Sequence, residues 1–173
     1  MNKEIMGAFR KRFTGAILAA LALVMVLLLL PGVSHALTYN KQEALVGLKG
    51  VEVIVEARDY KGESGGLSRD QIQTDVELRL RKAGIRVLTK KERGETPGQP
   101  DLYVVVSTYF YAYLIEVGVR EVVTLARGFE APGTIWQTGL LGGVGTERKR
   151  MIRESVGDQV DMFINDYLAA NPK

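Results

Sequence analysis

The chain has no cysteine and a single histidine, His35. No disulfide can form, although an exported protein could use one. A thiol nucleophile, a Cys-His pair and a zinc site of nitrogen and sulfur ligands are likewise excluded once His35 is lost with the leader described below. A Ser-His-Asp triad then lacks its base. No S-x-x-K occurs to support a serine–lysine pair, and no D-x-D-x-D-G loop is present to bind calcium.

The first 36 residues read as a secretory signal. Lys3, Arg10, Lys11 and Arg12 form a basic start, and Ala16 to Leu30 is an apolar run of 15 residues. Pro31-Gly32 breaks it, and Ser34-His35-Ala36 places small residues at −3 and −1 of a cleavage site between Ala36 and Leu37. The competing reading is an uncleaved inner-membrane anchor, but the run falls short of the roughly 20 residues a spanning helix needs. With no cysteine after it, the new N-terminus cannot carry a lipid. The expected location is the periplasm. Cleavage leaves residues 37–173 as one domain, with 19 basic and 19 acidic residues. The basic excess therefore belongs to the leader, and nothing argues for nucleic acid.

Two glycine-rich stretches imitate catalytic or phosphate-binding motifs. Gly62-Glu63-Ser64-Gly65-Gly66 fits G-x-S-x-G, but Ser64 has no imidazole to activate it, and the glycines suit a turn. "GLLGGVGTERKR" (139–150) satisfies neither the Walker spacing nor the dinucleotide fingerprint. It reads as a strand exit with Thr146 as N-cap, or as an anion site using Arg148, Lys149 and Arg150.

The patterning predicts an α+β two-layer sandwich: a mixed sheet of about five strands, in the order β-α-β-β-β-β-α, with two helices on one face. "VEVIVEA" (51–57) alternates as a half-buried strand. Ser68 and Gln71 mark a capping box, with Leu67 and Ile72 as a staple. Ile72, Val76, Leu80 and Ala83 form the helix stripe that Gly84 closes. "IRVL" (85–88) reads as a strand, reached by a right-handed parallel crossover, and 89–100 as an exposed loop. The apolar positions are even in 101–114 and odd in 114–126, which predicts a hairpin or bulge near Tyr111 to Tyr113. A turn at 127–133, a strand at 134–141 and a helix from about Glu147 to Ala170 complete the chain.

Glu52 and Glu56 share a strand face but stand about 13 Å apart, too far for a glycosidase pair, and read as solvated charges. Tyr103, Tyr109, Tyr111 and Tyr113 alternate with the inward positions. They are the candidate partner-binding residues, either on the sheet face away from the helices or at the hairpin tip. The competing reading is that they shield the sheet or fill a second small core.

Taken together, "LKGVEVIVEA", the capped helix, "GIRVL", "PDLYVVVSTY", "IEVGVREVVTLA" and "IRESVGDQVDMFINDYL" are similar to exported bacterial proteins. The layout resembles small envelope domains of curli-secretion lipoproteins, of lipopolysaccharide-assembly lipoproteins and of the N-terminus of the Tol-system translocation protein. This chain lacks the lipid-bearing cysteine of the lipoprotein members. The resemblance implies a scaffold role without catalytic residues, cofactor or metal. The expected partner is an envelope protein or a second copy, met through a sheet face or edge. The alternative is a small-molecule-binding protein or carboxylate-dependent enzyme. Its pocket would lie between sheet and helices, with Asp59, Ser64 and Arg148 as polar groups.

Overall fold

The computed structural model describes residues 40–59, 68–143 and 147–172. The chain divides into two units, Met1–Tyr39 and Asn40–Lys173, and everything described belongs to the second. The expected leader with its Ala36–Leu37 cleavage site, the expected turn at Ser64, Leu67, Thr146 and the side chain of Asp59 lie outside the described residues.

A single 3-10 turn, Glu43–Leu45, precedes β1 (Glu52–Asp59). Next come α1 (Arg69–Lys82), α2 (Lys90–Glu95), β2 (Asp101–Thr108), β3 (Ala112–Thr124), β4 (Glu130–Gly143) and α3 (Arg148–Ala170). The four strands form one open mixed sheet in the order β1-β2-β3-β4. β1 and β2 are parallel, and the other two pairings are antiparallel. Helices α1 and α3 pack against each other, α1 on β1 and α3 on β3 and β4. This is the α+β two-layer arrangement, with four strands rather than five.

The lost strand is "IRVL". Its backbone makes one parallel bridge, Val51 to Val87. Val51 N–H donates to the Arg86 carbonyl and Leu88 N–H to that of Val51. The segment then turns at once into α2, so only the first residue beside β1 has a partner. Helix α2 itself replaces the expected loop. Thr89 and Glu92 form a full capping box, in which Glu92 N–H donates to Thr89 Oγ1 at 3.2 Å and Thr89 N–H to Glu92 Oε2 at 2.8 Å. At Ser68 the hydroxyl accepts from Gln71 N–H at 3.4 Å. Gly84, at φ +78°, closes α1 as the stripe predicted.

The β2–β3 turn falls at residues 109–111, slightly before its expected place, and Tyr109 N–H donates to the Ala112 carbonyl across it. β4 runs longer at both ends than expected. A bulge between Val119 and Arg120 leaves Ile135 unmatched, so that Trp136 opposes Val119 and Thr134 opposes Arg120. α3 starts at Arg148 with Glu147 in the cap position.

One face of the sheet is the core. Val53 and Val55, Leu102, Val104 and Val106, Ile115, Val117 and Val119, and Trp136 meet the stripes of α1 (Ile72, Val76, Leu80) and α3 (Ile152, Val156, Val160, Phe163, Ile164). Trp136 meets Phe163 edge-on at 5.4 Å and donates from Nε1 to Asp166 at 2.9 Å, so its polar atom is satisfied inside. The end of α3 also clamps the segment before β1. Asn171 Nδ2 donates to the Leu45 carbonyl, and Tyr167 Oη donates to that of Leu48.

Phe163 sits between Trp136 and Tyr167, where its removal would empty the centre of the sandwich. Phe163→Ala is expected to lower unfolding free energy by about 3–5 kcal/mol, measured by urea denaturation.

Candidate interaction surface

The face of the sheet turned away from the helices carries the candidate site, and the strand register places its residues in rows. Glu52, Asp101, Arg120 and Thr134 form one row, and Ile54, Tyr103, Gly118 and Gln137 the next. Glu56, Val105, Glu116 and Gly139 come third, and Arg58, Ser107, Leu114 and Leu141 fourth.

A chain of charged contacts covers the β1–β2 side. Asp101 is only 3 % exposed. It accepts two bonds from Arg120, at 2.8 and 3.1 Å, and lies 3.7 Å from Arg93. Arg93 bonds Glu52 at 2.9 Å and the Gln99 carbonyl at 3.0 Å. The Arg120 guanidinium carbon lies 3.6 Å from the centre of the Tyr103 ring, a cation–π contact. Tyr103 donates its hydroxyl to Glu56, which also pairs with Arg58 at 2.7 Å. Glu52 and Glu56 are therefore ion-paired residues rather than free solvated charges.

These contacts set the proton affinities. The Arg58 guanidinium, followed by the Tyr103 hydroxyl, holds the Glu56 carboxyl at about 2, against an ordinary 4.5. The same bond to Glu56 pushes the Tyr103 hydroxyl above its ordinary 10.0. Glu121 runs the other way, because burial raises its carboxyl.

Beside the network lies a hollow of about 630 Å³ over Gly118 and Gly139, bordered by Lys41, Tyr103, Glu116 and Arg120. Gly139 is bare because its neighbour is close: a Cβ there would come within 3.0 Å of the Ile115 carbonyl. Beyond it the surface turns apolar at Leu114 and Leu141, next to the hairpin tip. Tyr109, Phe110 and Tyr111 are all exposed there, Tyr111 by 84 %. The Phe110 carbonyl accepts a bond from Arg148, which ties the tip to the start of α3.

The four tyrosines therefore do not form one row. Tyr103 lies half-buried in the ion-pair network, and Tyr109 and Tyr111 stand at the tip. Tyr113 belongs to the core at 4 % exposure, with its hydroxyl 2.8 Å from Ser155 Oγ. The physical reason is the three-residue turn, which places Tyr113 on β3, where odd positions face the helices. Its ring lies across the registered Gly142, where a Cβ would come within 2.4 Å of it. Phe110, expected to face inward, is at the tip instead. Leu141 and the Asp101–Arg120 pair carried no sequence signal, since an ion pair 19 residues apart follows no local period.

The space between the sheet and the two long helices is packed. Among the described residues there, the hollow beside Ile72, Val76, Val156 and Gly157 measures about 10 Å³. Ser64 and the Asp59 side chain lie outside the described residues, and Arg148 donates to the Phe110 carbonyl. Of the candidate anion-site cations, Arg150 is taken by Glu147 and Glu154. No group of three or more metal-ligating side chains occurs among the described residues, and no described helix is long and apolar enough to cross a membrane. Comparison with protein-family models and with curated proteins returns no match.

Two outcomes are expected in urea titrations. Asp101→Asn removes the charge that faces two arginines and should cost about 1–3 kcal/mol, moderated because both arginines reach solvent. Since Glu56 has a lowered folded-state value, its contribution is complete above 4.5 and disappears as pH falls towards about 2. Glu56→Gln should flatten the loss of stability across that window.

Proposed function

We propose that this protein is a non-enzymatic, partner-binding component of the bacterial cell envelope, exported to the periplasm. In this reading the tip of the β2–β3 hairpin docks an envelope protein. The observation that carries it is the exposure of three consecutive aromatic residues, Tyr109, Phe110 and Tyr111, on a hairpin anchored through Arg148 and the strand ladder. Exposed aromatic rings on a held backbone lose little entropy when covered, which is why tyrosine is frequent at the centres of interfaces. Leu141 at 70 % exposure extends the apolar surface beside the tip.

The non-enzymatic part rests on chemistry. Without the leader the chain has neither histidine nor cysteine. The most perturbed carboxylate on the open face, Glu56, is held ionised by its neighbours and is poorly suited to accept a proton near neutral pH. The export part rests on the basic, apolar and small-residue segments of residues 1–36.

A photo-crosslinking residue at position 111 tests this in the intact envelope, with a second at Leu78 on the outward side of α1 as control. The expected result is a discrete adduct with another envelope protein from position 111 alone. No adduct at either position, with the protein folded and abundant, would count against the reading. Tyr111→Ala should weaken recovery of that partner without changing stability, whereas Tyr113→Ala should cost about 3–5 kcal/mol through the cavity it leaves.

A further inference from the structure

The two edges of the sheet are protected very differently. β1 carries Glu52, Glu56, Arg58 and Asp59 among its eight residues, and its first turn is met by the Val51–Val87 bridge. Charges along an edge discourage a second strand from pairing there. β4 is fourteen residues long, and its only charge is Glu130 at the start. From Ala131 to Gly143 its own side chains carry no charge, and Lys41 reaches its edge at the Gln137 carbonyl.

The ladder shows which backbone groups face outward. Lys41 Nζ donates to the Gln137 carbonyl at 2.9 Å, so that carbonyl points away from β3. The Ile115 carbonyl points towards β4, being 3.0 Å from where a Gly139 Cβ would stand, and its registered partner is Leu140. Leu140 therefore exchanges the ladder bonds, and by the alternation of an antiparallel pair Gly139, Leu141 and Gly143 turn their N–H and C=O outward. Leu141 also presents an exposed side chain on the open face, between two residues that have none.

We propose that this edge binds a second copy of the chain, β4 against β4 in antiparallel pairing about a two-fold axis at Leu141. Each Leu141 then faces its counterpart, and Gly139 of one copy faces Gly143 of the other. The Leu141 side chains lie over bare glycine backbone, where no side chain obstructs them. The fourth row becomes a continuous apolar line, from Leu114 through both copies of Leu141 to the second Leu114. No like charges oppose, because this stretch has no charge. The Lys41–Gln137 bond lies outside the paired stretch and persists. An isologous contact of this kind uses the unguarded edge of each copy and leaves the charged β1 edges outermost, so the assembly closes as a dimer. This surface is separate from the hairpin tip, and the dimer stands or falls independently of the partner proposed there.

The absence of native cysteine makes the test direct. Leu141→Cys and Thr134→Cys, each in the full chain, are oxidised with copper–phenanthroline in the cell envelope and run on a non-reducing gel. Both positions are exposed, so neither substitution disturbs the fold. Across a hydrogen-bonded antiparallel pair the Cα atoms stand about 5.5 Å apart, within reach of a disulfide. Thr134 lies seven residues further from the axis, which sets its two copies roughly 48 Å apart. The expected result is a band of twice the chain mass from Leu141→Cys and none from Thr134→Cys. A dimer band from neither, from both equally, or from Thr134→Cys alone overturns the proposal, as does a Leu141→Cys adduct of any other mass. The adduct from position 111 is read separately and leaves this result unaffected.

Discussion

A carboxylate shielded from water must be neutralised where it sits, and Asp101 meets that requirement with two arginines from different parts of the chain. Arg120 reaches it from β3, and Arg93 reaches it from α2 while also gripping Glu52 on β1. Three strands and the crossover are thus tied at one atom group, at the end of the sheet where the parallel pair begins. The rest of the open face follows from this. Arg120, fixed by Asp101, lies over Tyr103, and Tyr103 in turn holds Glu56.

The consequence is an uneven surface. On the β1–β2 side, side chains are occupied with each other and offer a partner little that is unpaired. Towards the end of β4 the same face carries Gly139, Leu114 and Leu141 beside Glu116, and beyond it stand the three exposed aromatic residues of the hairpin. Tyr109, Phe110, Tyr111 and Leu141 thus gather exposed apolar surface at this end of the sheet, while Phe129 is exposed at the β3–β4 turn. The opposite face shows no such excess, since Trp136, Phe163 and the two helix stripes enclose one another.

Much of the fold is legible in local pattern. The stripes of α1 and α3, the alternation in β1 and β2 and the change of parity before Ile115 are all periodic signals, and they place most of the expected residues in the core, though Ala57 and Leu125 are exposed. Where local reading failed, the competing signals were equally local. "IRVL" has the length and composition of a strand, yet it borders the sheet at one residue only. Thr89-x-x-Glu92 matches a capping box as well as Ser68-x-x-Gln71 does, and glycines and prolines nearby masked it as loop. Tyr113 was grouped with the tyrosines before it because nothing in the sequence states whether a turn takes two residues or three, and one residue decides between core and surface.

The sequence alone determined what chemistry the protein can hold: no thiol, a single imidazole at His35, two amphipathic helices and strands with one apolar face. Those are properties of single residues and of short periods. The tertiary structure decided which charges are spent on one another and which backbone edge stays unguarded. Arg93, Asp101 and Arg120 become partners only because β1, β2 and β3 lie side by side, and β4 turns backbone groups outward only because it ends the sheet. Contacts between distant residues depend on strand order and register, and neither is encoded in any window of neighbouring residues.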